Sequence, residues 1–296
     1  MLSAEDTARL LPFPALCDTL AATARDYRAG RIASPPRHVL PLQGEGVMLS
    51  MPASAGDIAI HKLVSVCPAN AGGPRPTIQG VVSIMDGAHG GVLLQLDGPT
   101  VTARRTAAVS MLALRSLHAG AMRKLTLIGT GGQAAAHLAA LADCYPGVAV
   151  EVLSRSLDSA KQLCDAHAAL PLRLTAATRQ AAEDSSAVIA VTTALQPVYL
   201  EAARADRLLI GVGAFKPAMA EFGPDTVRAS QLFVDDPAGA PHEAGDLLQA
   251  GVDWADVGDL VDALDGKGDA RRPRLFKSVG CAAWDLAAAR CALAHA

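Results

Sequence analysis

The chain is poor in aromatic residues, in lysine, in net charge and in long apolar runs, and each shortage removes a class of explanation. Only 3% of its 296 residues are aromatic, yet 51% are hydrophobic, so there is apolar material for real cores and no need of disulfides to hold them. A net charge of −3 supplies no general attraction for nucleic acid or an anionic membrane. No apolar run approaches the roughly 18–20 residues of a membrane-crossing helix. The first residues hold Glu5, Asp6 and Arg9 and then Pro12 and Pro14, and nothing there reads as a secretion signal. Six scattered cysteines (Cys17, Cys67, Cys144, Cys164, Cys281, Cys291) form neither a C-x-x-C pair nor a zinc pattern, which fits a reducing cytoplasm. Lysine is scarce at six against twenty arginines. Most arginines are therefore expected as solvated background, and the placing of each lysine carries more information.

What is present falls into two textures. Residues 3–29 have helical periodicity with Gly30 as a stop, and four apolar runs follow: Val47–Met51, Ile58–Val66, Gly80–Met85 and Val92–Leu96. Gly, Pro and the pairs Asp86-Gly87 and Asp97-Gly98 separate them, which predicts an antiparallel meander. A helix is expected over Thr102–Leu117, ending near Gly120. After Arg123 strand and helix alternate: Leu125–Ile128, Gln133–Cys144, Val148–Leu153, Leu157–His167, then strands at Leu172–Leu174, Ala187–Val191, Leu208–Val212 and Leu232–Val234. That rhythm predicts a doubly wound sheet of about six strands. Residues 266–274 read as a linker to a last helix, Ser278–Ala294, which folds back on the first domain. The fold class is thus α/β, a Rossmann-type dinucleotide-binding domain (119–277) plus an α+β domain (1–118 with 278–296).

The clearest motif is Leu125-Thr126-Leu127-Ile128-Gly129-Thr130-Gly131-Gly132-Gln133-Ala134, a buried strand, a G-x-G-x-x-A turn and a helix start. Gly129 allows the tight turn, Gly131 allows backbone to approach a pyrophosphate, and Ala134 keeps the helix near the sheet. The helix N-terminus adds N–H donors and partial positive charge. At the end of the next strand an NAD-selective site places an acid for the ribose 2′-hydroxyl, but here stands Ser154-Arg155-Ser156. Arg155 can pair with a 2′-phosphate and the serines can donate to it, so NADP(H) is expected ahead of NAD(H). Thr192 and Thr193, at the end of a central strand, are expected to line the nicotinamide side. Asp235 and Asp236 are adjacent on a strand ended by Pro237 and so face opposite ways; no metal is assigned.

Three further blocks are more specific: His61-Lys62-Leu63-Val64-Ser65, Thr102-Ala103-Arg104-Arg105-Thr106-Ala107-Ala108-Val109-Ser110 and Phe276-Lys277-Ser278-Val279-Gly280. With the glycine loop and Met51-Pro52-Ala53 they resemble, in order and over nearly the whole chain, the ornithine cyclodeaminase/mu-crystallin family. The resemblance implies a substrate-binding and dimerisation domain completed by the C-terminal helix, a central NAD(P) domain, a homodimer, and small 2-amino, 2-imino or 2-oxo acids as ligands. It also places Arg37, Lys62 and Arg105 at substrate-binding positions. Arg105 and Arg37 suit a carboxylate, and Lys62, desolvated between arginines, suits a proton donor or polarising group. His61, next to Lys62 on a strand, points to the other face, where burial is expected. Asp246 is expected to be structural.

One departure bears on the reaction. Cyclodeaminating and alanine-dehydrogenating members of that family carry an Asp where this chain, in Gly211-Val212-Gly213-Ala214-Phe215, has Phe215. A phenyl ring neither accepts a proton nor pairs with an ammonium, but it suits the methylenes of a cyclic imino acid. The expectation is NAD(P)H-dependent reduction of Δ1-pyrroline-2-carboxylate and Δ1-piperideine-2-carboxylate to proline and pipecolate. The alternatives are ornithine cyclodeaminase, alanine dehydrogenase, and a non-catalytic NADP(H)-dependent crystallin-like binding protein. Phe215 could otherwise be a core residue.

Overall fold

Pro12 splits the first helical stretch. In the computed structural model, which describes residues 1–70, 72–178 and 183–296, it becomes α1 (Ala4–Arg9) and α2 (Phe13–Arg28). Proline has no N–H to donate and disfavours a helical residue before it, so one continuous helix cannot form. Gly30, at φ +72°, ends α2 as expected. The chain divides into two units, Met1–Arg105 with Cys281–Ala296, and Thr106–Gly280.

The first unit is a sequential antiparallel meander: β1 (His38–Pro41), β2 (Val47–Ser54), β3 (Ile58–Val66), β4 (Ile78–Asp86) and β5 (Val92–Asp97). β1 adds one strand to the four expected. The turn at Asp86-Gly87 is held by Asp86, which accepts from the N–H groups of Ala88 and His89. Asp97-Gly98 proves to be a helix entry instead. Asp97 accepts from the N–H and hydroxyl of Thr100, and α3 begins at Gly98 and runs to Leu117. Along β3 the even residues Ile58, Ile60, Lys62 and Val64 are buried, as are Met51 and Ala53 on β2 and Val82 and Ile84 on β4. The terminal helix, Ala282–Ala294, packs against α2, β2 and β3. Arg290 ties it to Asp26 and Asp57. It starts four residues later than expected, because the backbone N–H groups of Val279 and Gly280 are turned onto Asp235.

The second unit carries an all-parallel sheet of eight strands: β6 (Lys124–Ile128), β7 (Ala149–Leu153), β8 (Arg173–Ala177), β9 (Ala187–Ala190), β10 (Leu208–Gly211), β11 (Gln231–Val234), β12 (Gly258–Asp259) and β13 (Arg274–Lys277). Their order is β12-β11-β13-β10-β9-β6-β7-β8. The order reverses between β6 and β9, and an open α/β sheet offers its ligand crevice at the carboxyl ends of such a switch point. Helix α4 (Gly132–Cys144) follows β6, and α5 (Leu157–Ala166) follows β7. β12 and β13 are the strands beyond the six expected. β13 is buried at all four residues and sits between β10 and β11, although only Leu275 and Phe276 of its residues are apolar.

His137, on α4, is fully buried. Its Nδ1 can only donate to the Gln133 carbonyl at 2.7 Å, so in the neutral ring Nε2 accepts from the Ser110 hydroxyl at 2.9 Å. Burial pushes its pKa down to about 4 from 6.5. Between those values the unfolded chain takes up the extra proton. This contribution is therefore complete above pH 6.5 and is lost as pH falls towards 4, by about 1.4 kcal/mol per pH unit and about 3 kcal/mol in all. Urea unfolding of wild type and His137→Gln between pH 7.5 and 4.5 should show a shallower acid decline in the variant. Parallel declines would contradict this role.

Candidate active site

A lysine at a core-facing strand position must find a counter-charge, because an unpaired buried ammonium is too costly to keep. Lys62 is 2% exposed, between Ile60 and Val64 on the inward face of β3. Its partner is Asp285, in the first turn of the terminal helix and 0% exposed, with Nζ to Oδ2 at 2.6 Å. Arg105, on α3 and also buried, brings Nε to 3.3 Å from Asp285 Oδ1. Half-buried Arg37, in the segment before β1, adds its charge to the field at Lys62. Burial pushes the Lys62 pKa down to about 8; Asp285 resists that shift, while Arg105 and Arg37 add to it. The neighbouring Arg104 has a different task. Its Nε donates to the Leu11 carbonyl and its guanidinium lies 3.9 Å from the Phe13 ring centroid, fastening α3 to the start of α2. His61 points to the opposite face from Lys62 as expected, where it is only half-buried and bonds Ser50 Oγ at 2.8 Å.

In the second unit the glycine loop follows β6 directly. Gly129 has φ +123°, and a Cβ there would press on the carbonyl and side chain of Val191, so glycine is required. Gly131 caps α4 with no side-chain acceptor, and a Cβ on Gly131 or Gly132 would meet nothing within 4 Å. Nothing in the protein requires glycine at those two positions; the space above them does, if a pyrophosphate is to reach the helix N–H groups. Thr130 and Gln133 are half-buried, Gln133 Oε1 is buried without a hydrogen-bond partner, and Ala134 is fully buried against the sheet. The open space over Gly131 and Gly132 and the free helix N-terminus fit a dinucleotide phosphate. At the end of β7, Arg155 is exposed, Ser154 half-buried, and the Ser156 hydroxyl caps α5 through the Ser159 N–H.

The carboxyl edges of β9 and β10 are joined through one buried carboxylate. Glu221, 0% exposed, accepts from the N–H and hydroxyl of Thr192, and from the N–H groups of Val212 (3.1 Å), Gly213 (2.7 Å) and Ala214 (3.3 Å). Asp246 accepts in turn from the N–H groups of Glu221 and Phe222, and Lys277 lies 2.9 Å from Asp246 and 3.8 Å from Glu221. Burial, reinforced by Asp246, pushes the Glu221 pKa up, and Lys277 and the Thr192 and Gly213 N–H groups oppose it. Both oxygens accept several donors, so the group is held as a carboxylate. A Cβ on Gly213 would collide with the Thr192 backbone, so the two loops touch there. Thr192 turns its hydroxyl inward to Glu221, Thr193 is exposed, and Phe215 is 39% exposed and no core residue. Among the described residues no group of three or more metal-ligating side chains occurs, and no helix is long and apolar enough to cross a membrane.

Lys62 and Arg105 are thus brought together in the first unit, and the glycine loop, Arg155, Thr192 and Phe215 are distributed over strand ends of the second. Asp285 and Glu221 were missed from the sequence. Asp285 had a readable signal, being the sole acid in the alanine-rich stretch after Cys281, where a charge must be exposed or paired. Glu221 had none, since apart from the Thr192 hydroxyl its donors are backbone N–H groups of the loops after β9 and β10.

A glycine loop on a doubly wound sheet, with a separate antiparallel unit bearing a buried Lys, Asp and Arg, defines an oxidoreductase of the two-unit, dinucleotide-dependent class. The chain belongs to the ornithine cyclodeaminase/mu-crystallin family, whose model it matches over residues 1–295. It is 54% identical over 293 residues to the Δ1-pyrroline-2-carboxylate/Δ1-piperideine-2-carboxylate reductase of Azospirillum brasilense, covering 99% of this chain and 94% of that protein. It is 53% identical to Δ1-pyrroline-2-carboxylate reductase 2 of Burkholderia ambifaria, covering 98% and 93%. The structure of Thermococcus litoralis Δ1-pyrroline-2-carboxylate reductase, solved with NADH and L-proline, aligns with a TM-score of 0.88 at 24% identity, over 99% of this chain and 96% of that one. That last likeness establishes the shared fold.

Proposed function

We propose that the chain is an NAD(P)H-dependent reductase of cyclic ketimine acids, converting Δ1-pyrroline-2-carboxylate and Δ1-piperideine-2-carboxylate to L-proline and L-pipecolate. The observation that carries this reading is the buried pairing of both Lys62 and Arg105 with Asp285, in a chain over half identical to a reductase of that name. The exposed Phe215 supports a ring substrate over ornithine, whose ammonium groups would need an acid there. When bound, the reduced nicotinamide supplies the hydride that C2 of the imine takes up. The protein's share is to hold and protonate. Arg105, with Arg37, offers guanidinium N–H groups to the carboxylate. Lys62 keeps a proton available to the imine nitrogen, which makes C2 electrophilic. Phe215 supplies an apolar wall for the methylenes. The residues that hold the dinucleotide are Gly129 to Ala134 at the start of α4, with Thr192 and Thr193 on the nicotinamide side. Residues 1–118 with 278–296 act as the substrate-binding and dimerisation domain, and 119–277 as the coenzyme domain.

With NADPH present, each cyclic imine should cause loss of absorbance at 340 nm and ornithine should release no ammonia. Absence of turnover with both imines would defeat the reading. For the coenzyme, the lack of an acid at Ser154-Arg155-Ser156 favours NADP(H), with Arg155 on the 2′-phosphate. Arg155→Asp should lower the NADPH/NADH ratio of kcat/KM by about tenfold or more, the worth of about 1.4 kcal/mol in one charge-assisted contact; an unchanged ratio would return Arg155 to the solvated background.

The assembly we propose is a homodimer. The face of β2, β3 and β4 turned away from the helices carries Met48, Leu63, Val81 and Met85 with Ser50 and His61, all only half-buried. Val39, Leu40, Val92 and Leu93 at the sheet's two edges are exposed. An apolar surface of that kind marks an interface more often than open water. Light scattering on the purified protein should give twice the chain mass, and a monomer at micromolar concentration would reject the dimer.

A further inference from the structure

Every other buried acid in the two networks described above is held by backbone or hydroxyl donors. Glu221 takes N–H groups from two loops, Asp246 takes those of Glu221 and Phe222, and Asp235 takes the Ser278 hydroxyl with two N–H groups. Asp285 has none of these: neither oxygen accepts from a hydroxyl or a backbone N–H, and what faces it is Lys62 at 2.6 Å and Arg105 at 3.3 Å. A carboxylate there is not needed to cap or close the terminal helix, whose other buried positions are alanine, leucine, cysteine and tryptophan.

We propose that Asp285 is a positioning residue for turnover: it holds Lys62 as an ammonium aimed from β3 and shares Arg105 with the substrate carboxylate, so that the proton needed at the imine nitrogen is present at neutral pH. The proposal rests on the reductase reading of the site. The charges acting on Lys62 come from three elements: Asp285 from the terminal helix, Arg105 from α3 and Arg37 from the segment before β1. Its lateral neighbours in the sheet, Met51 and Val82, carry none. Burial and both arginines disfavour the ammonium, and Asp285 is the group that favours it. With Asp285 in place Lys62 titrates near 8 and is mostly charged at pH 7. Without it, Lys62 would be largely neutral there.

The consequence for substrate binding differs from that for turnover. Asp285→Asn removes one negative charge and lets Lys62 shed one positive charge, so the net charge met by an incoming carboxylate is unchanged near neutrality. At pH 7.5 the variant should keep KM for the imine within about threefold of wild type, while kcat falls about tenfold or more and recovers as pH is lowered to 6. The alkaline limb of kcat/KM should move from near 8 to at least about one unit lower, one unit being a factor of ten in the ammonium's population. A merely structural Asp285 would change kcat and KM together with no recovery at low pH and an unmoved limb.

A second readout does not need activity. In protein carrying 13C-labelled lysine, with the Lys62 signal assigned through Lys62→Arg, the Lys62 ε-carbon should titrate about one unit or more lower in Asp285→Asn than in wild type. Equal titration would overturn the proposal, even with reduced kcat. If wild type reduces neither imine, the reductase reading falls and this titration still decides the role of Asp285. Should Asp285→Asn not fold, Asp285→Glu takes its place. It keeps the charge, so Lys62 should titrate within about half a unit of wild type, and a larger downward shift would count against the proposal.

Discussion

Burying Lys62 is the constraint from which most of the first unit follows. An ammonium on the inward face of β3 is tolerable only beside an anion, and no residue of the meander supplies one; Asp285, some 220 residues later in the chain, does. The chain therefore has to come back. Its last helix is alanine-rich because it lies against both the sheet and α2, and Asp285 is placed on the side where β3 passes. Separating such a pair by removing one partner costs on the order of 3–5 kcal/mol, so the return of the last helix is part of the unit's stability.

The second unit follows the opposite logic. What it presents at the carboxyl edge of its sheet is mostly backbone: the N–H groups at the start of α4, the bare space over Gly131 and Gly132, and the strand ends at the switch point. Side chains there serve largely to hold backbone still. His137 links α4 to Ser110 of α3, Asp235 gathers the N–H groups after β13, and Glu221 gathers those after β9 and β10. Lys277 and Ser278, adjacent in the chain, serve two of these hubs at once, which gives the Phe276–Gly280 block a physical role that its sequence alone did not disclose.

The parts of the fold written in local patterns were legible, and the parts written in long-range pairing were not. The His61–Ser65 block marked Lys62 through its resemblance and put His61 on the other face of the strand, and the strand, glycine turn and helix around Gly129 needed no structure to be found. The α/β class and the family resemblance of the quoted blocks both stand. The strand Arg274–Lys277 escaped notice because two charged residues bracket two apolar ones, and only its insertion between β10 and β11 makes them interior. Asp97-Gly98 has the composition of a turn and the function of a helix entry; what separates the two is where Thr100 points. Glu221 sits in an irregular segment, and apart from the Thr192 hydroxyl its hydrogen-bond donors are backbone N–H groups, which leave no mark in a sequence.

The way Glu221 grips the loop after β10 bears on how such a protein can change its chemistry. The N–H groups of Val212, Gly213 and Ala214 are fastened to the carboxylate, and the next residue is Phe215, whose side chain is outside that grip. The loop's course is independent of what residue 215 is. A different side chain can therefore stand at that position without disturbing the shelf that carries it.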